Sequence, residues 1–144
     1  MFAKILYPTD FSDVSKKALS YLRQLKGAGA KEIVILHVID ERKIEAITIY
    51  GNSDSFVFIE EIEQEARKEV TAIKGELKKC GFEVKTRIEK GIPLKEILRI
   101  EEQEKVSLVV IGSHGKTNIK EMLMGSVSEK VVRRAKNPVL VIKR

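Results

Sequence analysis

A chain of 144 residues is long enough to bury a core as a single domain, residues 1–144, without disulfide or metal staples. Its 43% hydrophobic and 33% charged residues suit a soluble globular protein, and no run approaches the ~18 consecutive apolar residues of a membrane span. The net charge of +6 comes from lysines interleaved with glutamates, without an arginine-rich arm and with only 6% aromatic residues, which argues against nucleic-acid binding.

The N-terminal run Met1–Pro8 is too short in apolar residues for a signal peptide. Cys80 is the one cysteine, so a disulfide framework and a thiolate cluster are both excluded. A cytoplasmic address is expected.

Phe2 to Tyr7 reads as the first strand, closed by Pro8, which cannot donate to a central ladder. Ser12 is a good N-cap for a helix with Val14, Ala18, Leu22 and Leu25 on one face, stopped by Gly27 and Gly29. Ile33-Val34-Ile35-Leu36 lies within a second strand, Glu32 to Ile39, and its nearly continuous apolar run predicts burial on both faces of a parallel sheet. Residues 40–55 show no clear period and predict a mobile connection with one helical turn at most.

Ile59, Ile62, Ala66, Val70, Ile73, Leu77 and Cys80 then step by three or four, a long amphipathic helix on which Cys80 reads as a small core residue rather than a nucleophile. Gly81 closes it and Phe82 to Ile88 alternates as a third strand. Pro93 suits the first turn of a helix carried by Leu94, Ile97 and Leu98. Leu108 to Ile111 is a fourth strand, Val127, Val131, Val132 and Ala135 mark a fourth helix, and Val139 to Ile142 a fifth strand. Strict strand–helix alternation predicts an α/β fold, a five-stranded parallel sheet with helices on both faces. Ligands of such sheets sit beyond the carboxyl ends of the strands, where strand order reverses.

After the fourth strand come Gly112-Ser113-His114-Gly115-Lys116-Thr117 and, with nine residues between Gly115 and Gly125, Gly125-Ser126-Val127-Ser128. Gly112 lets the backbone turn tightly and Gly115 can take positive φ. Gly125 and Ser126 open the last helix, whose first amides lack intrahelical acceptors and form a phosphate site from backbone alone. Gly115-Lys116-Thr117 imitates the tail of a phosphate-binding P-loop, but that pattern needs glycine where this chain has Val110 in mid-strand. Ser126 with Glu129 equally reads as a capping box, and Asp10 as a helix start. His37, inside a strand, reads as a satisfied core histidine. His114, between two loop glycines, reads either as a phosphate contact or as a product of loop geometry.

The spacing G-x2-G-x9-G-[ST], with Lys4-Ile5-Leu6-Tyr7-Pro8-Thr9-Asp10-Phe11-Ser12, Leu36-His37-Val38 and Asn137-Pro138-Val139-Leu140-Val141-Ile142 in order, resembles the universal stress protein family in its ATP-binding branch. The resemblance covers nearly the whole chain. It implies a Rossmann-like sheet of order 3-2-1-4-5, as in adenine nucleotide α-hydrolases, and a site built from Pro8, Thr9, Asp10, Val38, Gly112, His114, Gly115, Lys116, Gly125, Ser126, Val127 and Ser128. In it the Asp10 carboxylate would accept from the ribose hydroxyls and the main chain of Val38 would read the adenine edge. Gly112 and Gly115 would pass close to the ribose and α-phosphate, while Gly125 to Ser128 would hold the outer phosphates through amides and hydroxyls. Lys116 stands where the family often has arginine, keeping the charge without the planar fork.

The implied ligand is ATP, with Mg²⁺ or Mn²⁺ carried on its phosphates and bound mostly by water. Neither a catalytic base nor a second carboxylate is paired with Asp10 by motif, so a nucleotide-responsive binding module with little or slow hydrolysis is expected. A slow ATPase in the same cleft and a protein-interaction domain that binds no nucleotide are the alternatives. With that strand order Val139, Leu140, Val141 and Ile142 would form a sheet edge, and a homodimer through them is expected unless Lys143 and Arg144 act as gatekeepers.

Overall fold

Continuous apolar runs can be satisfied only where both faces of a strand are covered, and the computed structural model meets that demand with one parallel sheet. It describes residues 1–51, 54–115 and 124–144. The strands are β1 (Lys4–Pro8), β2 (Glu32–Asp40), β3 (Glu83–Gly91), β4 (Leu108–Gly112) and β5 (Val139–Ile142). The helices are α1 (Asp13–Gly27), α2 (Glu41–Tyr50), α3 (Ser55–Lys79), α4 (Pro93–Gln103) and α5 (Ser126–Arg134). Strand order is β3-β2-β1-β4-β5, as the resemblance implies, and every ladder is parallel.

Alternate residues of each central strand enter opposite cores. Ile5, Tyr7, Ile33 and Ile35 pack with Ala18 and Leu22 of α1 and Val70, Ile73 and Leu77 of α3. Leu6, Val34 and Leu36 pack on the other face with Ile97 and Ile100 of α4 and Val131 of α5. Truncating a fully buried leucine such as Leu36 to alanine would cost about 2–5 kcal/mol. Ser12 caps α1, its hydroxyl accepting from Ser15 N–H at 3.2 Å, and Pro93 opens α4.

The structure corrects three expectations. The segment after β2 is a ten-residue helix, α2, N-capped by Asp40, not a loose connection; it buries no residue, so it leaves no core-facing stripe for sequence to show. Of the residues expected to make the last helix, Ala135 falls outside it as the C-cap of α5, which ends at Arg134, and Val132 lies on its exposed side at 44%. Ser126 is not an N-cap either: Gly125 holds that position and no side chain caps the helix, so the capping box does not form.

Glu101, a helix residue with no apolar signal, is 2% exposed and accepts from Lys136 N–H, Asn137 N–H and Asn137 Nδ2 at 3.0–3.1 Å. It ties α4 to the turn that launches β5. Among the described residues no helix is long and apolar enough to cross a membrane.

Candidate functional site

The cleft follows from the unequal lengths of neighbouring strands. β1 pairs with β2 only as far as Pro8 opposite Leu36, whereas β3 accompanies β2 to Asp40. Thr9 N–H donates to Leu36 O at 2.8 Å, so the Leu36 carbonyl faces the β1 side. In a parallel ladder successive residues alternate sides. The N–H and C=O of Val38 therefore face the same way as those of Leu36, past the end of β1 and into the cleft. The cavity there has a volume of about 610 Å³, within the range of small-ligand pockets.

The β1–α1 turn is tightly determined. Thr9 is buried; its hydroxyl accepts from Phe11 N–H at 3.0 Å and from Ser15 Oγ at 2.5 Å. Its carbonyl contacts His37 Nδ1 at 2.8 Å. Phe11 takes a left-handed φ of 65°, worth about 1–2 kcal/mol of strain for a residue with a Cβ, and its ring stacks on His37 at 4.2 Å. Tyr7 donates from below to Ser15 O at 2.6 Å, and burial pushes its phenol above the ordinary range. These contacts fix Asp10, whose Oδ1 accepts from Ser12 N–H at 3.0 Å. A Cβ on Gly115 would lie 2.8 Å from Asp10 Oδ2, so a side chain at 115 would press on this carboxylate.

The opposite wall is the nest between β4 and α5. Gly125 N–H donates to Ser113 O at 2.6 Å and Ser128 Oγ to Gly112 O at 2.6 Å, closing the loop onto the first turn of the helix. Glu129 N–H is the first to find an acceptor within the helix, Gly125 O at 3.0 Å. By helix geometry the amides of Ser126, Val127 and Ser128 precede that bond and carry the positive end of the helix dipole. Ser113, missed by the sequence reading, is fully buried; its N–H donates to Ile142 O at 2.8 Å and its hydroxyl pairs with His114 Nδ1 at 2.7 Å.

Pro8, Thr9, Asp10, Val38, Gly112, His114, Gly115, Gly125, Ser126, Val127 and Ser128 all line this one cavity. Lys116 lies outside the described residues. Four details differ from expectation. Gly115 does not use positive φ. Gly112 is required by packing, since a Cβ there would meet Ser15 N and Val14 Cγ1 at 3.1 Å. The Ser128 hydroxyl is already committed to Gly112 O. His37 is satisfied but half-buried in the cavity wall, not the core, because β2 outruns β1 at that point.

Sequence reading also missed part of the lining of the cleft: Ile39, Ile44, Ile62, Pro93 and Ile97, with Lys43 of α2. Those residues come from four elements, and α2 among them lacked a periodic signal. Asp40 holds the start of α2, accepting from Arg42 N–H at 3.0 Å and from its guanidinium at 2.7–2.9 Å; that pairing keeps its carboxyl below the ordinary range. No cluster of three or more potential metal ligands occurs among the described residues.

Comparison with known proteins agrees with this architecture. The chain is 44% identical to universal stress protein MJ0577 of Methanocaldococcus jannaschii, the match spanning 100% of this chain and 96% of that one. It is 37% identical to universal stress protein YxiE of Bacillus subtilis, over 99% and 100% of the two chains. The solved MJ0577 structure superposes with a TM-score of 0.91 over 100% of this chain and 97% of its own. A universal stress protein crystallised in complex with cAMP, 24% identical, shares the fold at a TM-score of 0.66 over 99% and 97% of the chains. The universal stress protein family model matches residues 1–143, the span that holds all five strands and both walls of the cleft, and the chain belongs to that family.

Proposed function

We propose that this chain is an ATP-binding module whose cleft holds the nucleotide from base to γ-phosphate. The observation that carries the reading is the convergence of three unlike surfaces on one cavity: the outward main chain of Val38, the Asp10 carboxylate, and the first turn of α5. The apolar wall of Ile39, Ile44, Ile62, Pro93 and Ile97 suits a flat base, and the Val38 main chain offers a donor and an acceptor to its edge. Asp10 suits ribose hydroxyls, as an acceptor that already holds its own turn. The Ser126, Val127 and Ser128 amides suit phosphate oxygens. That a family member of the same fold is known in complex with cAMP supports an adenine nucleotide as the ligand class.

The donor set fits ATP better than a protein-bound metal. With no three-ligand cluster among the described residues, Mg²⁺ or Mn²⁺ would ride on the phosphates and keep water ligands. The activity we assign is nucleotide binding with little or slow hydrolysis.

Titration calorimetry of the purified protein tests the reading directly. ATP should bind at micromolar concentrations, with ADP weaker and inorganic phosphate far weaker. Absence of saturable ATP binding to folded protein would refute it.

A further inference from the structure

Four of the helices are fastened to the core. α1, α3, α4 and α5 each bury two or more of their residues, Leu22, Leu77, Ile100 and Val131 among them. α2 buries none of its ten. A helix that short does not persist in water by itself, since nucleation is costly and each added residue returns one hydrogen bond. Its N-cap helps, Asp40 accepting from Arg42 N–H at 3.0 Å. Its apolar side chains do little more: Ile49 and Tyr50 are exposed, and Ile44 and Ile47 are only half-buried.

The inward side of α2 borders the cleft. Lys43 and Ile44, successive residues near its start, line the cavity of about 610 Å³ together with Ile62 of α3. The cover that the core gives the other helices is left, at α2, to whatever fills that cavity. Ile44 presents an apolar surface, and the apolar part of a nucleotide is its base.

We propose that α2 belongs to the binding site and not to the core: the base of a bound nucleotide covers Ile44, and that contact holds residues 41–50 as a helix. The inference rests on the nucleotide reading above, and it adds a base contact and a coupling between occupancy and helix. A ligand that requires α2 to be folded stabilises α2 as steeply as it binds, by linkage. Helices fastened to the core gain nothing from that coupling locally.

Amide hydrogen exchange of the full chain tests it, with ATP uptake measured by calorimetry in the same buffer. At about ten times the measured dissociation constant, peptides within 44–51 should exchange roughly tenfold more slowly than in nucleotide-free protein, the factor that linkage gives. Peptides within 67–79 of α3 should keep their rates. ATP that binds but leaves 44–51 unchanged, or slows 67–79 equally, overturns the proposal while the nucleotide reading stands. A folded protein that takes up no ATP overturns both.

Two variants separate a ligand contact from a part of the fold. Ala46→Pro breaks α2 at an exposed position, removing an amide donor from the helix interior. It should weaken ATP about tenfold and move the melt of nucleotide-free protein by no more than about 2 °C. Ile44→Ser, which removes the apolar contact and keeps the cap, should weaken ATP with as little effect on that melt. Unchanged ATP affinity in either folded variant overturns the proposal, and so does a fall in the nucleotide-free melt as large as that of a core truncation.

Discussion

Gly125→Val separates the phosphate nest from the stability of the fold. Gly125 has φ −72° and ψ 162°, an extended conformation open to any L-residue, so valine brings no backbone strain. An added Cβ would sit 3.4 Å from Ser113 O, 3.5 Å from His114 Cα and 3.6 Å from Gly115 N, all ordinary contacts. The γ-methyls must extend further into the gap between that loop and the mouth of α5, where a phosphate oxygen would otherwise reach the helix amides. Losing one hydrogen bond to a charged group costs about 1.5–3 kcal/mol, which converts to a tenfold to hundredfold weaker ATP affinity. Gly125→Ala, with Cβ contacts alone, should lose far less. Calorimetry gives the affinities and a thermal melt shows that the fold persists. A folded valine variant binding ATP as tightly as wild type would show that the nest is not where the phosphates sit.

Asp10→Ala should weaken ATP but barely change inorganic triphosphate binding; equal losses would mean that the carboxylate acts through the phosphates or the turn, since Ser12 N–H also loses its acceptor. Steady-state phosphate release should stay far below the ~1–10³ s⁻¹ of ordinary enzymes, and a turnover within that range, abolished by a cleft mutation, would overturn the binding-module reading. Glu104 is buried and accepts from Lys85, Arg87 and Lys4 at 2.7–3.4 Å, contacts that hold its carboxyl below the ordinary range, the Lys85 hydrogen bond foremost. A depressed pKa stabilises the fold above the ordinary carboxylate range and ceases to as pH falls through the lowered value. Glu104→Gln should therefore cost about 1–3 kcal/mol in denaturant melts at pH 7, and much less in acid; a pH-independent difference would refute the charge argument. Val141→Pro should shift the sedimentation mass toward monomer at low micromolar concentration.

What sequence made legible was whatever a side chain or its absence had to satisfy locally. The strands showed because both faces are buried, and the turn into the last helix because of its glycine spacing. Asp10 and Val38 entered as site residues through the family resemblance. The apolar lining did not show, since Ile39, Ile44, Ile62, Pro93 and Ile97 reach one cavity only through the crossing of four elements. α2 was invisible for a physical reason: a helix that buries nothing has no stripe to display. The glycines were found for partly wrong reasons. Gly112 answers to the first turn of α1 and Gly115 to the carboxylate across the cleft, neighbours distant in sequence.

The two edges of the sheet explain why strand pairing between copies is expected at β5 and not at β3. β3 carries Glu83, Lys85, Arg87, Glu89 and Lys90 along nine residues, with Arg87 on Glu89 and Glu104 and Lys85 on Glu104. An incoming strand would have to dismantle those pairs or desolvate them, the usual protection of an edge. β5 is Val139-Leu140-Val141-Ile142, paired among the described residues with β4 alone, half-buried along three of its four residues and without charge until Lys143. Antiparallel pairing about a two-fold axis would satisfy its outward N–H and C=O groups and cover its apolar side chains at once. Lys143 and Arg144 lie beyond the ladder, where they can flank a partner strand without entering it. Lys17 reaches the Lys143 carbonyl at 3.1 Å, a contact between α1 and the end of the strand. Proline at 141 removes a donor from the middle of this edge. If the wild type is a dimer and the proline variant remains one at the same dissociation constant, β5 is not the contact.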